Sequence, residues 1–380
     1  MKVCLKATAI LLTVAVLCSC VLFKKVECVS TSSKSFVVMN ADTFDVLAFK
    51  NAYQKLSMAS TTKLMTALIL AEQNTPKKTV TTTREMVTVE GSSMGLQIGD
   101  TVSHYDLLVG MLLPSGNDAA NTAAISVAGS IDRFAELMNK KADEIGMKNT
   151  NFVTPSGLDS KDHYSTAYDM ALLAVYALKN DTIREICSKE KITVTFGNPP
   201  YQRTLYNHNK LLGRYEGCIG MKTGFTKKSG RCLVSAAEKN GCRVVAVTLN
   251  DPDDWNDHER LLDFGFSSIE TVDITDNQSI LNVDVVGGTK DILLLGSPRC
   301  TVGGTRDLVN KVTVVHKTKP FVYAPIKAGD TVGFTEYYYN GRLLKRYEIY
   351  VLESIDKAVY RETFSKRFYK NFKTIFKQFV

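Results

Sequence analysis

Two short apolar runs, Phe36-Val37-Val38-Met39 and Val46-Leu47-Ala48-Phe49, flank Asn40-Ala41-Asp42, and this pattern predicts a β-hairpin over Ser35–Phe49. From Ser60 to Gln73 the chain turns to Leu, Met and Ala at helical spacing. The same spacing recurs at Tyr105–Met111, Asp118–Ala128, Ile131–Ile145 and Ala167–Leu178. Strand-like runs return at Cys232–Ala237 and Arg243–Leu249, with Glu238-Lys239-Asn240-Gly241 supplying the turn between them. Asp257–Phe266 reads as a closing helix that ends near Gly265. Near Ile269 the pattern changes to short alternating strands with glycine turns: Ile280–Val286, Asp291–Leu295, Lys311–Val315, Thr331–Tyr339 and Leu343–Val351. That stretch predicts a small all-β domain with no catalytic cluster.

The two ends are patterned differently from this body. Lys2 and Lys6 precede an apolar run from Ala7 to Leu17, too short for a membrane span and suited to a secretory signal peptide. Leu17-Cys18-Ser19-Cys20 also fits a lipoprotein processing box with Cys20 as the lipidated residue, so both forms of processing stand. At the other end, Phe364, Phe368, Phe372, Ile375, Phe376 and Phe379 fall within a helical arc of roughly 120°. Lys366, Arg367, Lys370, Lys373 and Lys377 fall opposite. An interfacial helix on an anionic membrane has this pattern; a helix packed on the protein is the alternative.

With 380 residues, 44% hydrophobic and 23% charged, the chain is long enough for two folded domains. Its net charge of +8 hints at nucleic acid until the charges are located. Residues 1–28 carry four lysines against one glutamate, and 356–380 carry seven Lys or Arg against two acids. Together these ends hold the whole surplus, so residues 29–355 are neutral and a nucleic-acid-binding face is not expected. Cys4, Cys18, Cys20 and Cys28 belong to the leader region. Cys187, Cys218, Cys232, Cys242 and Cys300 form no Cys-x-x-Cys pair and have no histidine cluster, so zinc is not expected. They read as buried thiols, with disulfides open to them after export.

Three motifs could carry chemistry. Ser60-Thr61-Thr62-Lys63 opens a helix, and i and i+3 share a face, so hydroxyl and amine can meet near unsatisfied backbone N–H groups. Ser115-Gly116-Asn117 lies in a turn before a helix, and Lys222-Thr223-Gly224 precedes a strand. Each alone is ordinary: a helix cap with a surface lysine, a turn, a strand edge. In this order, 55 and 107 residues apart, they match the Ser-x-x-Lys, Ser-x-Asn, Lys-Thr-Gly set of penicillin-binding proteins and class A β-lactamases, with Gly116 where that set has Asp.

The chain resembles the serine D-alanyl-D-alanine carboxypeptidases among the low-molecular-mass penicillin-binding proteins. The resemblance rests on Ala59–Ala67, Gly110–Ala120, Ser165–Asp169, Asn207–Leu212 and Lys222–Leu233, and covers about Ser35 to Phe266. It implies an α/β (α+β) fold of the penicillin-binding-protein/β-lactamase type: an antiparallel sheet with helices and a helical subdomain. A small all-β domain and a C-terminal amphipathic helix would follow. The expected organisation is a signal peptide at 1–28, a catalytic domain at 30–268, a β-rich domain at 269–355 and a membrane anchor at 356–380.

By the same resemblance, Ser60 is the nucleophile and Lys63 its base. Ser115 relays a proton, and Asn117 orients Lys63 and the substrate amide. Lys222, Thr223, Gly224 and Phe225 bind substrate, with the N–H groups of Ser60 and Phe225 as oxyanion hole. Lys63 can act only when neutral, which burial and a nearby Lys222 would favour. The implied substrates are peptidoglycan stem peptides ending in D-Ala-D-Ala, with β-lactams as inhibitors and no metal or cofactor. The implied location is the outer face of the cytoplasmic membrane.

One departure concerns the substrate carboxylate. Relatives often place an arginine after the last core strand, whereas Asn250–Asp257 here has none before Arg260. His163 and His208 read as structural. A class A β-lactamase is the nearest rival, but no Glu-x-x-Leu-Asn segment lies between Asn117 and Lys222. A non-catalytic wall-binding protein is the other, against which the intact Ser60, Lys63, Ser115 and Lys222 argue.

Overall fold

The computed structural model describes residues 29–274, 281–297 and 299–359. The signal-peptide and lipidation readings, and the amphipathic tail from residue 360 onward, lie outside the described residues. The chain divides into two compact units. One comprises residues through Met39, Val46–Glu238 and Val244–Ser267; the other comprises Asn40–Asp45, Lys239–Arg243 and residues from Ser268 onward.

In the first unit, an antiparallel hairpin of β1 (Ser35–Asn40) and β2 (Val46–Lys50) continues the expected apolar runs. Small ribbons pair β3 (Thr79–Thr81) with β4 (Thr101–Ser103), and β5 (Lys191–Gly197) with β6 (Pro200–Tyr206). The main sheet adds β7 (Cys218–Thr226), β8 (Gly230–Lys239) and β9 (Cys242–Leu249), in the order β2-β1-β9-β8-β7. β7 is therefore an edge strand. The helices are α1 (Lys63–Glu72), α2 (Arg84–Val87), α3 (His104–Leu112), α4 (Asn117–Ala128), α5 (Ile131–Ile145), α6 (Ala167–Leu178), α7 (Asp181–Cys187) and α8 (Asp254–Ser267).

Helix α1 is buried on all sides along its first eight residues, Lys63 to Leu70, as befits the centre of a helical layer. Ser103, Ser130 and Thr166 cap α3, α5 and α6 by accepting N–H bonds from the first turn. Helix α8 starts earlier than expected and passes through Gly265 rather than stopping there. A Cβ at Gly265 would meet Val244 Cγ1 at 2.5 Å, so this glycine permits close packing on the sheet instead of ending the helix.

The second unit is all-β, as the alternating pattern predicts. A six-stranded sheet and a two-stranded ribbon build it, with Val283, Leu293, Val332, Ile349 and Val351 in its core. No helix among the described residues is long and apolar enough to cross a membrane.

Candidate active site

Ser60 sits in a 3₁₀ turn, Ala59–Thr62, that runs directly into α1. Ala59 takes a left-handed φ of 47°, and Gly157 opposite it a φ of 83°. A Cβ at Gly157 would lie 1.9 Å from the Ala59 carbonyl oxygen, so only glycine lets this loop approach the turn. His163 fastens the loop. Its Nδ1 accepts the Val153 N–H at 2.9 Å, which leaves Nε2–H to donate to Thr62 Oγ1 at 2.9 Å. Burial lowers the imidazole to about 4, so it is neutral at physiological pH and its role is structural. Thr66 donates to the Pro155 carbonyl at 2.6 Å, and the Ser156 carbonyl is thereby presented to Lys63.

Lys63 is completely buried. Its Nζ lies 2.9 Å from Ser60 Oγ, 2.7 Å from Asn117 Oδ1 and 2.7 Å from the Ser156 carbonyl oxygen. Burial first, and the charge of Lys222 second, hold its amine well below the ordinary lysine range, against an opposing pull from Asp118. The Asn117 amide cannot be reversed: its Nδ2 donates to the Glu90 carbonyl at 2.6 Å, so Oδ1 must face the lysine. Asp118 accepts the Ser93 hydroxyl at 2.6 Å and the N–H groups of Met94, Gly95 and Leu96. That pins the segment beside the start of α4. Ser115 is buried with a φ of 64°, a conformation that few non-glycine residues adopt.

The third motif lies within β7 rather than before a strand. Gly224 meets the Ser60 turn: a Cβ there would sit 3.1 Å from the N atoms of Ser60 and Thr61 and from the Met58 carbonyl. Phe225, the next residue, lines the same cleft as Ser60 and is 66% exposed. Lys222 is buried, and desolvation lowers its amine to about 7, with Cys187 pulling the other way. Its Nζ donates to the Thr223 carbonyl at 2.9 Å.

Ser60, Ser115, Thr223, Gly224 and Phe225 line one cleft of about 530 Å³. Lys63, Asn117 and Lys222 are buried and do not line it. The sequence reading missed several contributors. The Ser156 and Glu90 carbonyls are backbone atoms and leave no residue-type signal. His208 and Lys210 line the cleft and belong to the Asn207–Leu212 stretch already singled out. Arg231, Asp254 and Trp255 also line it, and the Gly230-Arg231 step just beyond Lys-Thr-Gly was the available clue. Arg260 pairs with Asp257 and does not line the cleft. The five cysteines in the described residues are free thiols, four of them buried.

Residues 23–253 match the family model for D-alanyl-D-alanine carboxypeptidase, and residues 270–357 match that for the C-terminal domain of penicillin-binding protein 5. The chain is 33% identical to D-alanyl-D-alanine carboxypeptidase DacF of Bacillus subtilis, over 90% of this chain and 91% of the relative. It is 34% identical to DacC of Escherichia coli, over 88% and 86%. Among solved structures, penicillin-binding protein 5 of Haemophilus influenzae aligns with a TM-score of 0.61 at 26% identity, covering 86% of this chain and 98% of that one. The Streptomyces K15 DD-transpeptidase aligns with a TM-score of 0.60 at 30% identity, covering 63% and 98%. With more than half of its length inside the first family model and a cleft-lining serine hydrogen-bonded to a buried lysine, the chain belongs to the D-alanyl-D-alanine carboxypeptidases, serine peptidases that act on peptidoglycan.

Proposed function

We propose that the chain removes terminal D-alanine from stem peptides through an acyl-enzyme on Ser60, with Lys63 as the base. The observation that carries this is the hydrogen-bond inventory of Lys63. Asn117 Oδ1 and the Ser156 carbonyl can only accept. A neutral amine has two N–H groups and one lone pair. The two acceptors take both N–H groups, and the lone pair is left for the Ser60 hydroxyl at 2.9 Å. Burial favours that neutral form.

In this mechanism Lys63 takes the proton as Ser60 Oγ attacks the penultimate D-Ala carbonyl carbon. The N–H groups of Ser60 and Phe225 hold the oxyanion, each worth about 3–4 kcal/mol. The close approach at Gly224 supports this pairing. Collapse breaks the C–N bond, and Ser115 passes a proton to the departing D-Ala amine. Water then hydrolyses the ester. Asn117 orients Lys63 and the substrate amide, while Lys222 and Thr223 engage the terminal carboxylate. A β-lactam carbonyl would be attacked by the same hydroxyl.

The domain assignment is part of the proposal: 1–28 a signal peptide, 30–268 the catalytic domain, 269–355 the β-rich domain, and 356–380 an anchor on the outer face of the cytoplasmic membrane. The phenylalanine and lysine arcs of the tail support the anchor. Loss of membrane association on removing 360–380 would bear it out, whereas an unchanged membrane fraction would defeat it unless Cys20 is lipidated. The catalytic assignment is tested with a D-Ala-D-Ala-ended peptide. Wild type should release free D-alanine and Ser60→Ala should not. Penicillin treatment should leave a mass adduct on the peptide containing Ser60, and its absence would exclude Ser60 as nucleophile.

A further inference from the structure

A peptide ending in D-alanine brings a carboxylate into the cleft, and a carboxylate is best held by a dependable cation with paired N–H groups. Lys222 is a poor sole provider, because it is buried, donates to the Thr223 carbonyl, and is lowered to about 7. The residues that line the cleft include two further cations, Lys210 and Arg231. Lys210 is exposed and has no hydrogen-bond or ion-pair partner among the described residues, so nothing fixes its long side chain.

Arg231 is held. It lies on β8 directly opposite Phe225, two residues from the partner of Thr223. Buried Asp254 takes its Nε–H at 3.0 Å and lies 2.8 Å from Nη2 with the same oxygen. The Trp255 ring centroid lies 5.4 Å from Cζ. One edge of the guanidinium is therefore gripped and one face covered. Nη1 has no protein acceptor among the described residues and belongs to the edge left for a ligand. A guanidinium stays charged at any physiological pH.

We propose that Arg231, set in place by Asp254 and Trp255, binds the terminal carboxylate of the substrate together with Thr223. This makes Arg231 a specificity residue for acyl donors with a free C-terminus. It places the cation on the strand beside β7, in a chain with no arginine between Leu249 and Arg260. The inference rests on the Ser60 reading above.

The test uses the full chain and two peptides that differ only at the C-terminus, one a free D-alanine carboxylate and the other its carboxamide. The readout is the ratio of kcat/KM for the two. Wild type should favour the free acid. Arg231→Leu should cut that preference by about 10- to 150-fold, the range for losing a charge-assisted hydrogen-bonded contact. Arg231→Lys should recover part of it, and Lys210→Ala should keep the wild-type ratio. If Arg231→Leu does not fold, Arg231→Gln, close in size and still polar but uncharged, is read in the same way. A purely structural role would lower both substrates together and leave the ratio unchanged, and that result overturns the assignment. So does loss of the preference in Lys210→Ala with retention in Arg231→Leu. A wild type that releases neither D-alanine from the acid nor D-alaninamide from the carboxamide overturns the Ser60 reading as well, which separates the two failures.

Discussion

The two units bury different kinds of interior. The first hides Lys63, Lys222, Asp118, Asp169, Asp251, Asp257, His163 and His258 among its apolar side chains. In the second, from Ser268 onward, the described buried residues are apolar except for Thr335 and Glu336, and Glu336 is ion-paired to Lys317 at 2.7 Å. A buried charge or unpaired polar group costs free energy that a hydrocarbon would not. A core that carries so many has given up stability for chemistry, and a core that carries almost none has only packing to maintain. The difference turns a list of buried residues into a map of function.

The strongest way to break this contrast is to remove the reacting atom. Ser60→Ala deletes one oxygen from a site held in place by Thr62, Thr66 and Asn117 rather than by Ser60 itself. D-alanine release should fall at least about 10⁴-fold, as it does when a serine nucleophile is removed elsewhere. The melting temperature should hardly move. A large loss of stability would mean that the pair is structural. Leu293→Ala makes the opposite change. Leu293 is wholly buried in the apolar cluster of the second unit, so its truncation should cost about 2–5 kcal/mol. Denaturant unfolding measures the cost, and the acylation rate of the molecules that stay folded should not change.

The catalytic constellation was legible because its chemistry demands particular side chains at fixed separations. Ser60, Lys63, Ser115, Asn117 and Lys222–Phe225 announce themselves as residue types. What remained hidden is what backbone supplies. The Ser156 and Glu90 carbonyls aim Lys63 and Asn117, and any residue carries a carbonyl. Arg231 lies in a stretch that marks the family but carries no role there, because the expected arginine follows the last core strand, whereas the one that lines the cleft sits one strand closer to the motif, on β8 beside β7. The ribbon Lys191–Gly197 with Pro200–Tyr206 was also missed. Its second strand is exposed at most positions and presents no apolar face to read. Gly265 has the pattern of a helix stop, but its lack of a side chain serves helix–sheet contact.

Lys222 sharpens the comparison through the stability it should be costing. Its folded value of about 7 lies below the value near 10.4 of an exposed lysine. Between those limits the unfolded chain binds more protons, so wild-type stability should rise with pH from about 7 to about 10. Lys222→Met removes the buried charge and only one hydrogen bond, to the Thr223 carbonyl. The variant should be more stable than wild type by about 1–4 kcal/mol at pH 7, while losing activity. The gain should shrink as pH rises. A variant less stable than wild type at pH 7 would mean that the polar interior carries no such cost.

The smallest effect concerns His258, a core histidine that takes no part in the proposed chemistry. Its two ring nitrogens lie 2.5 Å from Ser235 Oγ and 3.0 Å from Thr248 Oγ1. Complete burial lowers it to about 3, with Asp257 pulling upward. As pH falls below about 6.5 the unfolded imidazole gains a proton that the folded one refuses, so stability is present above that value and lost on acidification. At pH 5 the loss should be roughly 2 kcal/mol relative to pH 8. Urea midpoints at the two pH values, compared between wild type and His258→Gln, isolate it: the variant starts lower and its acid-induced drop is smaller. Ring proton resonances of His258 should show no titration down to pH 5. A midpoint near 6.5 would mean that water or a counter-charge reaches this pocket, and the first unit would then be less costly to keep folded than its buried polar residues imply.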